Sequence, residues 1–214
     1  MRSSAKDGLH LANRTQLDSD RLREMMLEAV EGWPVRRLRL SVRYSRGADF
    51  SGTCYYRHNL IYVNLGRHLR YPYRMNTSVA RARSTARTWW KPIYTLELAD
   101  PHRVVLFVFL HEFYHWLVHK ARRNPRQKES MCDRFATRIL VDRFGCRLYD
   151  ESGRPVPREA WDIQDVERFV AAAREDTPPG APTRRAATRP IPPAPHPPPI
   201  RGRQLLLFDV ESPR

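Results

Sequence analysis

The sequence predicts an α+β domain, a small antiparallel sheet packed on a pair of helices, followed by a tail of different composition. Three observations carry this. Residues 101–119 form a mainly apolar run with its own start signal, Asp100 as cap and Pro101 at the first helical position. Before it, residues 35–44, 52–57, 60–64 and 93–98 read as strands. At Asp176 the chain turns to Pro, Ala and Arg without apolar periodicity. Such a stretch cannot build a core and is expected to be an extended spacer.

In chain order, residues 1–17 read as a flexible leader. Leu22, Met25, Met26, Ala29 and Val30 recur at helical spacing within 18–31, with Asp18 or Ser19 as cap and Gly32 as stop. Between 35 and 44, Leu38, Leu40 and Val42 alternate with Arg37, Arg39 and Arg43, which predicts a half-buried strand with one basic face. Residues 52–57 and 60–64 form a hairpin turned at His58 and Asn59. Asn124 and Pro125 repeat the cap-and-proline signal and predict a second long helix ending at Gly145. Residues 146–149 read as a short strand. Trp161, Ile163, Val166, Phe169 and Val170 predict a last amphipathic helix over 158–174. The folded domain is therefore expected over 18–175, the spacer over 176–203, and a terminal apolar cluster over 204–210.

The first long helix contains His111-Glu112-Phe113-Tyr114-His115. Histidines four apart lie on one helix face and can hold one zinc ion, with Glu112 beside it as general base. A glutamate and two histidines are poor residues for a buried helix unless something binds them. The third ligand is expected from the second helix, where Glu129 and Asp133 share a face. Glu129 is the first choice; Asp133 is the alternative, or the group that orients a ligand histidine. His119 lies one turn past the pair, where a straight helix carries it beyond the metal.

These residues resemble two families of zinc peptidase. His111 to His115, with Glu129-Ser130-Met131-Cys132-Asp133-Arg134-Phe135-Ala136, resembles the ImmA/IrrE type, apart from Cys132 where alanine is usual. That resemblance implies His111, His115 and Glu129 as ligands and Glu112 as base. Upstream, Gly52-Thr53-Cys54 and Leu60-Ile61-Tyr62-Val63-Asn64 resemble the strand pair of SprT-like and Spartan peptidases. Those enzymes use a histidine as third ligand, and no matching histidine follows here. Both resemblances, spanning about residues 35–145, imply a zincin-like fold, and an edge strand beside the metal helix could take substrate by strand addition.

The net charge of +15 and pI near 10.5 point to a polyanionic partner. Residues 66–91 hold Arg74, Arg81, Arg83, Arg87, Trp89 and Trp90 and no acidic residue. Cations for phosphates and aromatic faces for unstacked bases suit single-stranded DNA. The competing reading is an Arg-rich loop whose tryptophans plug the core. The terminal Gln204-Leu205-Leu206-Leu207-Phe208 resembles the peptide by which bacterial repair proteins hook onto the DNA sliding clamp. Gln204, Leu205, Leu207 and Phe208 would make the contacts, and the spacer would supply reach; the competing reading is a tail strand docked on its own domain. Three cysteines without paired spacing, no signal-peptide core and no membrane-length apolar run predict a cytoplasmic, nucleoid-associated protein.

The resulting expectation is a zinc metallopeptidase that cleaves protein substrates at DNA and is tethered to the clamp. The alternatives are an ImmA-like peptidase specific for one repressor, and a non-catalytic DNA- and clamp-binding adaptor with structural zinc.

Overall fold

Leu9 and Leu11 turn inward while His10 and Ala12 face out, and this two-residue period makes strand β1 (Leu9–Asn13). The leader expected over 1–17 is corrected to that extent: a strand of five residues was too short to stand out from its polar surroundings. The computed structural model describes residues 8–126, 128–161 and 165–174. The chain divides into two units, Met1–Thr177 and Pro178–Arg214, and every described residue lies in the first. The spacer and the terminal cluster lie outside the described residues.

Asp18 caps helix α1 (Ser19–Ala29), its side chain accepting the Asp20 and Arg21 N–H groups. Leu22, Met26 and Ala29 bury its inner face. The chain returns as β2 (Leu38–Tyr44), parallel to β1, then forms β3 (Phe50–Tyr55) and β4 (Leu60–Leu65). The main sheet has the order β1-β2-β4-β3, with β3 at one edge. It is mixed, and the expectation of an antiparallel sheet is corrected. The β3–β4 hairpin is antiparallel, but α1 carries the chain back so that β2 runs parallel to β1, and β4 is parallel to β2.

Then come β5 (Tyr73–Thr77), the short strands β6 (Arg83–Ser84) and β7 (Trp89–Trp90), and β8 (Tyr94–Leu98). Strands β5 and β8 join β9 (Arg147–Tyr149) in a second, antiparallel sheet.

Helix α2 (Pro101–Lys120) starts as expected, with the Asp100 side chain on the Arg103 N–H and Pro101 in the first turn. It is buried nearly all round, from Val104 to Leu110 and again from Phe113 to Val118. No helix among the described residues is long and apolar enough to cross a membrane. Helix α3 (Glu129–Phe144) ends at Gly145, whose φ of 65° is the left-handed conformation that glycine adopts without steric cost.

Two helix boundaries differ from expectation. Helix α3 begins at Glu129, not at Pro125, because Asn124 Oδ1 closes only a tight turn on the Arg126 N–H. The region 158–174 is not one helix. It holds a 3-10 turn (Arg158–Ala160), α4 (Val166–Phe169) and a second 3-10 turn (Ala171–Arg174). Asp165 starts a fresh helix by accepting the Arg168 N–H, and Trp161 is buried before that new start.

Helices α2 and α3 meet in an aromatic cluster. Phe135 of α3 lies 5.0 Å from Tyr114 and 6.4 Å from Phe113, ring centroid to centroid, and 6.2 Å from Trp33 in an edge-on contact. Phe135→Ala should cost about 3–5 kcal/mol in urea unfolding, with the slope unchanged. A loss below about 1 kcal/mol would show that neighbouring rings refill the space and that this contact does not hold the pair.

Candidate metal centre

Four residues per near-turn place His111 and His115 on one side of α2, their rings 5.1 Å apart. Each ring has its Nδ1 side engaged. His111 Nδ1 lies 2.9 Å from Asp133 Oδ1. His115 Nδ1 lies 3.2 Å from the Pro125 carbonyl oxygen, so in the neutral ring it donates there. This is what the early turn before α3 provides: a carbonyl aimed at a histidine. With both Nδ1 atoms so used, the Nε2 atoms are left to face a common point.

They converge on Glu129. Its Oε2 is 3.0 Å from His111 Nε2 and its Oε1 is 3.4 Å from His115 Nε2. Donor atoms held about 2.0–2.1 Å from a tetrahedral ion stand roughly 3.3 Å apart, so this spacing suits a metal. The Glu129 side chain is two-thirds exposed, so the centre opens to solvent on that side. Asp133 takes the orienting position, and its other oxygen accepts the Ser78 N–H at 3.2 Å. The sequence did not single out Cys132 as a donor. Its buried thiol completes a His111, His115 and Cys132 group whose ligand atoms lie within 4.8 Å of one another, a set that could also hold a metal ion. His119 turns elsewhere and stacks on Tyr56 at 4.7 Å.

Glu112 lies on the other side of the pair, against edge strand β3. The Cys54 N–H hydrogen bonds to its carboxylate. A Cβ on Gly52 would stand 2.5 Å from Glu112 Cγ and Oε1, so only glycine leaves room there. The Gly66 N–H donates to the Asp49 carbonyl, which sets the alternation of the β3–β4 ladder. The main-chain groups of Phe50, Gly52 and Cys54 then face the open edge.

No protein-family model, no curated protein and no solved structure matches this chain.

The electrostatics follow from the pairing. Burial pulls His111 down, but hydrogen bonds to Asp133 and Glu129 outweigh it and push the ring up to about 9. Hydrogen bonds to His111 and His115 hold Glu129 well below the usual carboxylate range. Burial raises Glu112, against the pull of the two histidines. Burial also raises the Cys132 and Cys54 thiols, so both are neutral at pH 7 without a metal.

Among the described residues, none of the other expected site residues belongs to the His111, His115 and Cys132 group. Arg81, Arg83, Arg87, Trp89 and Trp90 are exposed on and around the β6–β7 ribbon, with Trp89 at 73% and Trp90 at 45%. Those tryptophans do not plug the core. Arg74 is paired with Glu97 across β5 and β8, at 2.8 Å. Gln204, Leu205, Leu207 and Phe208 lie outside the described residues.

Two outcomes are expected. Gly52→Ala should displace Glu112 and leave the histidines in place, so metal content should persist while any activity that uses Glu112 falls. Loss of metal together with activity would mean that Gly52 holds the whole centre. The second outcome concerns pH. A His111 pKa raised from 6.5 to about 9 gives a stabilisation of the metal-free fold that is full below 6.5 and lost as pH rises through 9. The same proton occupies the lone pair a metal needs. Zinc affinity, measured against a competing chelator, should therefore rise by about tenfold per pH unit toward pH 9. A flat profile between pH 6.5 and 9 would place the metal elsewhere.

Proposed function

We propose that the chain is a zinc-dependent metallopeptidase that cleaves protein substrates at DNA while tethered to the sliding clamp. The observation that carries the peptidase part is the convergence of both Nε2 atoms on Glu129, with Glu112 set between that centre and an open strand edge. His111, His115 and Glu129 fit as the three protein ligands of a catalytic zinc site, which keeps one position open. The bound ion would polarise the scissile carbonyl and ease ionisation of the attacking water.

The chain's own residues supply the rest. An extended substrate would pair with the outward main-chain groups of Phe50 and Gly52 on β3. That pairing would bring the scissile bond beside Glu112. Glu112 would take the proton from the attacking water and pass it to the leaving amine. Its burial favours this, since a raised pKa makes the carboxylate a stronger base. Asp133 and Pro125 would hold the ligand rings in the tautomer that leaves Nε2 available.

Exposure of Trp89 and Trp90 among Arg81, Arg83 and Arg87 supports contact with single-stranded DNA. The clamp contact rests on Gln204, Leu205, Leu207 and Phe208 in the sequence alone. A peptide over 201–210 would bind the clamp at about micromolar strength, because ordering a short segment offsets much of its apolar burial.

A protein substrate held on DNA should be cut by the full chain, and a chelator should stop the cutting. Glu112→Gln should lower the rate at least about 100-fold with zinc retained. Cleavage at the normal rate by that variant would refute the mechanism. A second reading is favoured by Cys132: if its thiolate joined His111, His115 and Glu129, four protein ligands would close the site and make it structural. Cys132→Ala should keep its zinc on the first reading and lose it on the second.

A further inference from the structure

The outer face of the main sheet is a second surface to consider. Its inner face is apolar: Leu38, Leu40 and Val42 of β2 and Ile61 and Val63 of β4 are buried. Residues between them point the other way. Register places His10 beside Arg39, Arg39 beside Leu60, and Leu60 beside Tyr55, in one row across all four strands. A second row brings Tyr62 beside Thr53, and a third brings Arg43 beside Asn64.

Two features of this face are specific. Its aromatics are arranged as a platform. Tyr55, 47% exposed at the strand edge, meets Tyr62 edge-on at 5.7 Å. The Arg43 guanidinium lies 4.4 Å over the Tyr62 ring, and its Nε is held by Asn64 Oδ1 at 2.7 Å. The second feature is charge. Within the four strands, no position on this face carries a carboxylate, while Arg39 and Arg43 are exposed. Asp49, just before β3, accepts the Tyr73 hydroxyl.

An exposed tyrosine on the same sheet face as two guanidinium groups, Arg43 held over Tyr62 and Arg39 donating to the His58 carbonyl at 3.0 Å, matches single-stranded nucleic acid, whose unstacked bases need flat partners and whose phosphates need cations. Duplex hides its base faces, and an acidic peptide would make no use of the aromatic pair. We propose that the outer face of the main sheet binds single-stranded nucleic acid, a base stacking on Tyr55 and phosphates meeting Arg39 and Arg43. The surface shares no residue with the β6–β7 ribbon. It rests on the proposed function only for the class of ligand. Strand β3 would then serve twice: its inner side packs on Glu112, and its outer side carries Tyr55. A bound strand would lie one sheet thickness from the metal centre.

The test is fluorescence anisotropy of the full chain with a labelled twelve-nucleotide oligothymidylate, a duplex of the same length and heparin as competitor. Tyr55→Ala should weaken oligothymidylate binding by roughly tenfold, and Tyr55→Phe should restore it, because the ring and not the hydroxyl stacks. Arg39→Ala should reduce the dependence of log affinity on log salt by about 0.7. Both side chains are exposed, so both variants should keep the parent's unfolding midpoint. Unchanged binding in Tyr55→Ala and Arg39→Ala would overturn the proposal. So would heparin binding that matches oligothymidylate and ignores Tyr55. The pair Trp89→Ala and Trp90→Ala separates the two surfaces. Loss there alone assigns the nucleic acid to the ribbon and ends the sheet proposal. Loss in the sheet variants alone keeps the sheet proposal and removes the ribbon from the proposed function.

Discussion

The contact between His111 Nδ1 and Asp133 is the constraint on which the arrangement of the two long helices depends. Helix α2 is buried on nearly every side, so leaving the ring nitrogens of His111 unmatched there would be costly. Asp133 matches one nitrogen of His111 and Glu129, one turn earlier on α3, faces the other. Two contacts one helical turn apart fix the register of α3 along α2. The aromatic cluster around Phe135 then packs in that register. Asp133 also anchors the Ser78 N–H, and Arg134 reaches the Val79 carbonyl, so the segment leading into the β6–β7 ribbon is tied to the same helix. Polar pairing thus sets geometry while apolar burial supplies most of the stabilisation.

The opposite wall of the centre is set by a close approach. Glu112 can lie against β3 only because Gly52 has no side chain, and the Cys54 N–H then gives its carboxylate a partner. Strand β3 pairs with β4 on one side, and among the described residues no strand pairs with it on the other. An exposed edge is an aggregation hazard unless it is used or guarded. Here that edge runs past Glu112, the one glutamate of α2 and partly buried, which gives the exposure a use in the proposed reaction.

Much of the centre was legible before the structure. His111, Glu112 and His115 follow from spacing alone, because a helix brings fourth neighbours together. The face shared by Glu129 and Asp133 was equally readable, but not their division of labour. Which carboxylate meets Nε2 and which meets Nδ1 depends on how far α3 is slid along α2, and that is a tertiary quantity. Cys132 was hidden for the same reason: it lies between those two positions, and only the crossing of the helices turns its thiol toward the histidines. The Pro125 carbonyl was invisible because the Asn-Pro signal reads as a helix start whether one turn or five follow. Strand β1 was missed through brevity, and with it the parallel pairing, since period-two patterns do not state direction. The exposure of Trp89 and Trp90 could not be read from composition, where a buried and a presented tryptophan look alike.

We propose that zinc is held here through two imidazole nitrogens and a Glu129 oxygen, with the Cys132 thiol near but not bound. X-ray absorption at the zinc edge of the loaded full chain tests it directly. The expected spectrum shows nitrogen and oxygen neighbours at about 2.0–2.1 Å, with the outer scattering pattern of two imidazoles and no sulfur. Sulfur scattering at about 2.3 Å would make Cys132 a ligand and rule out a centre of two imidazoles and one carboxylate alone.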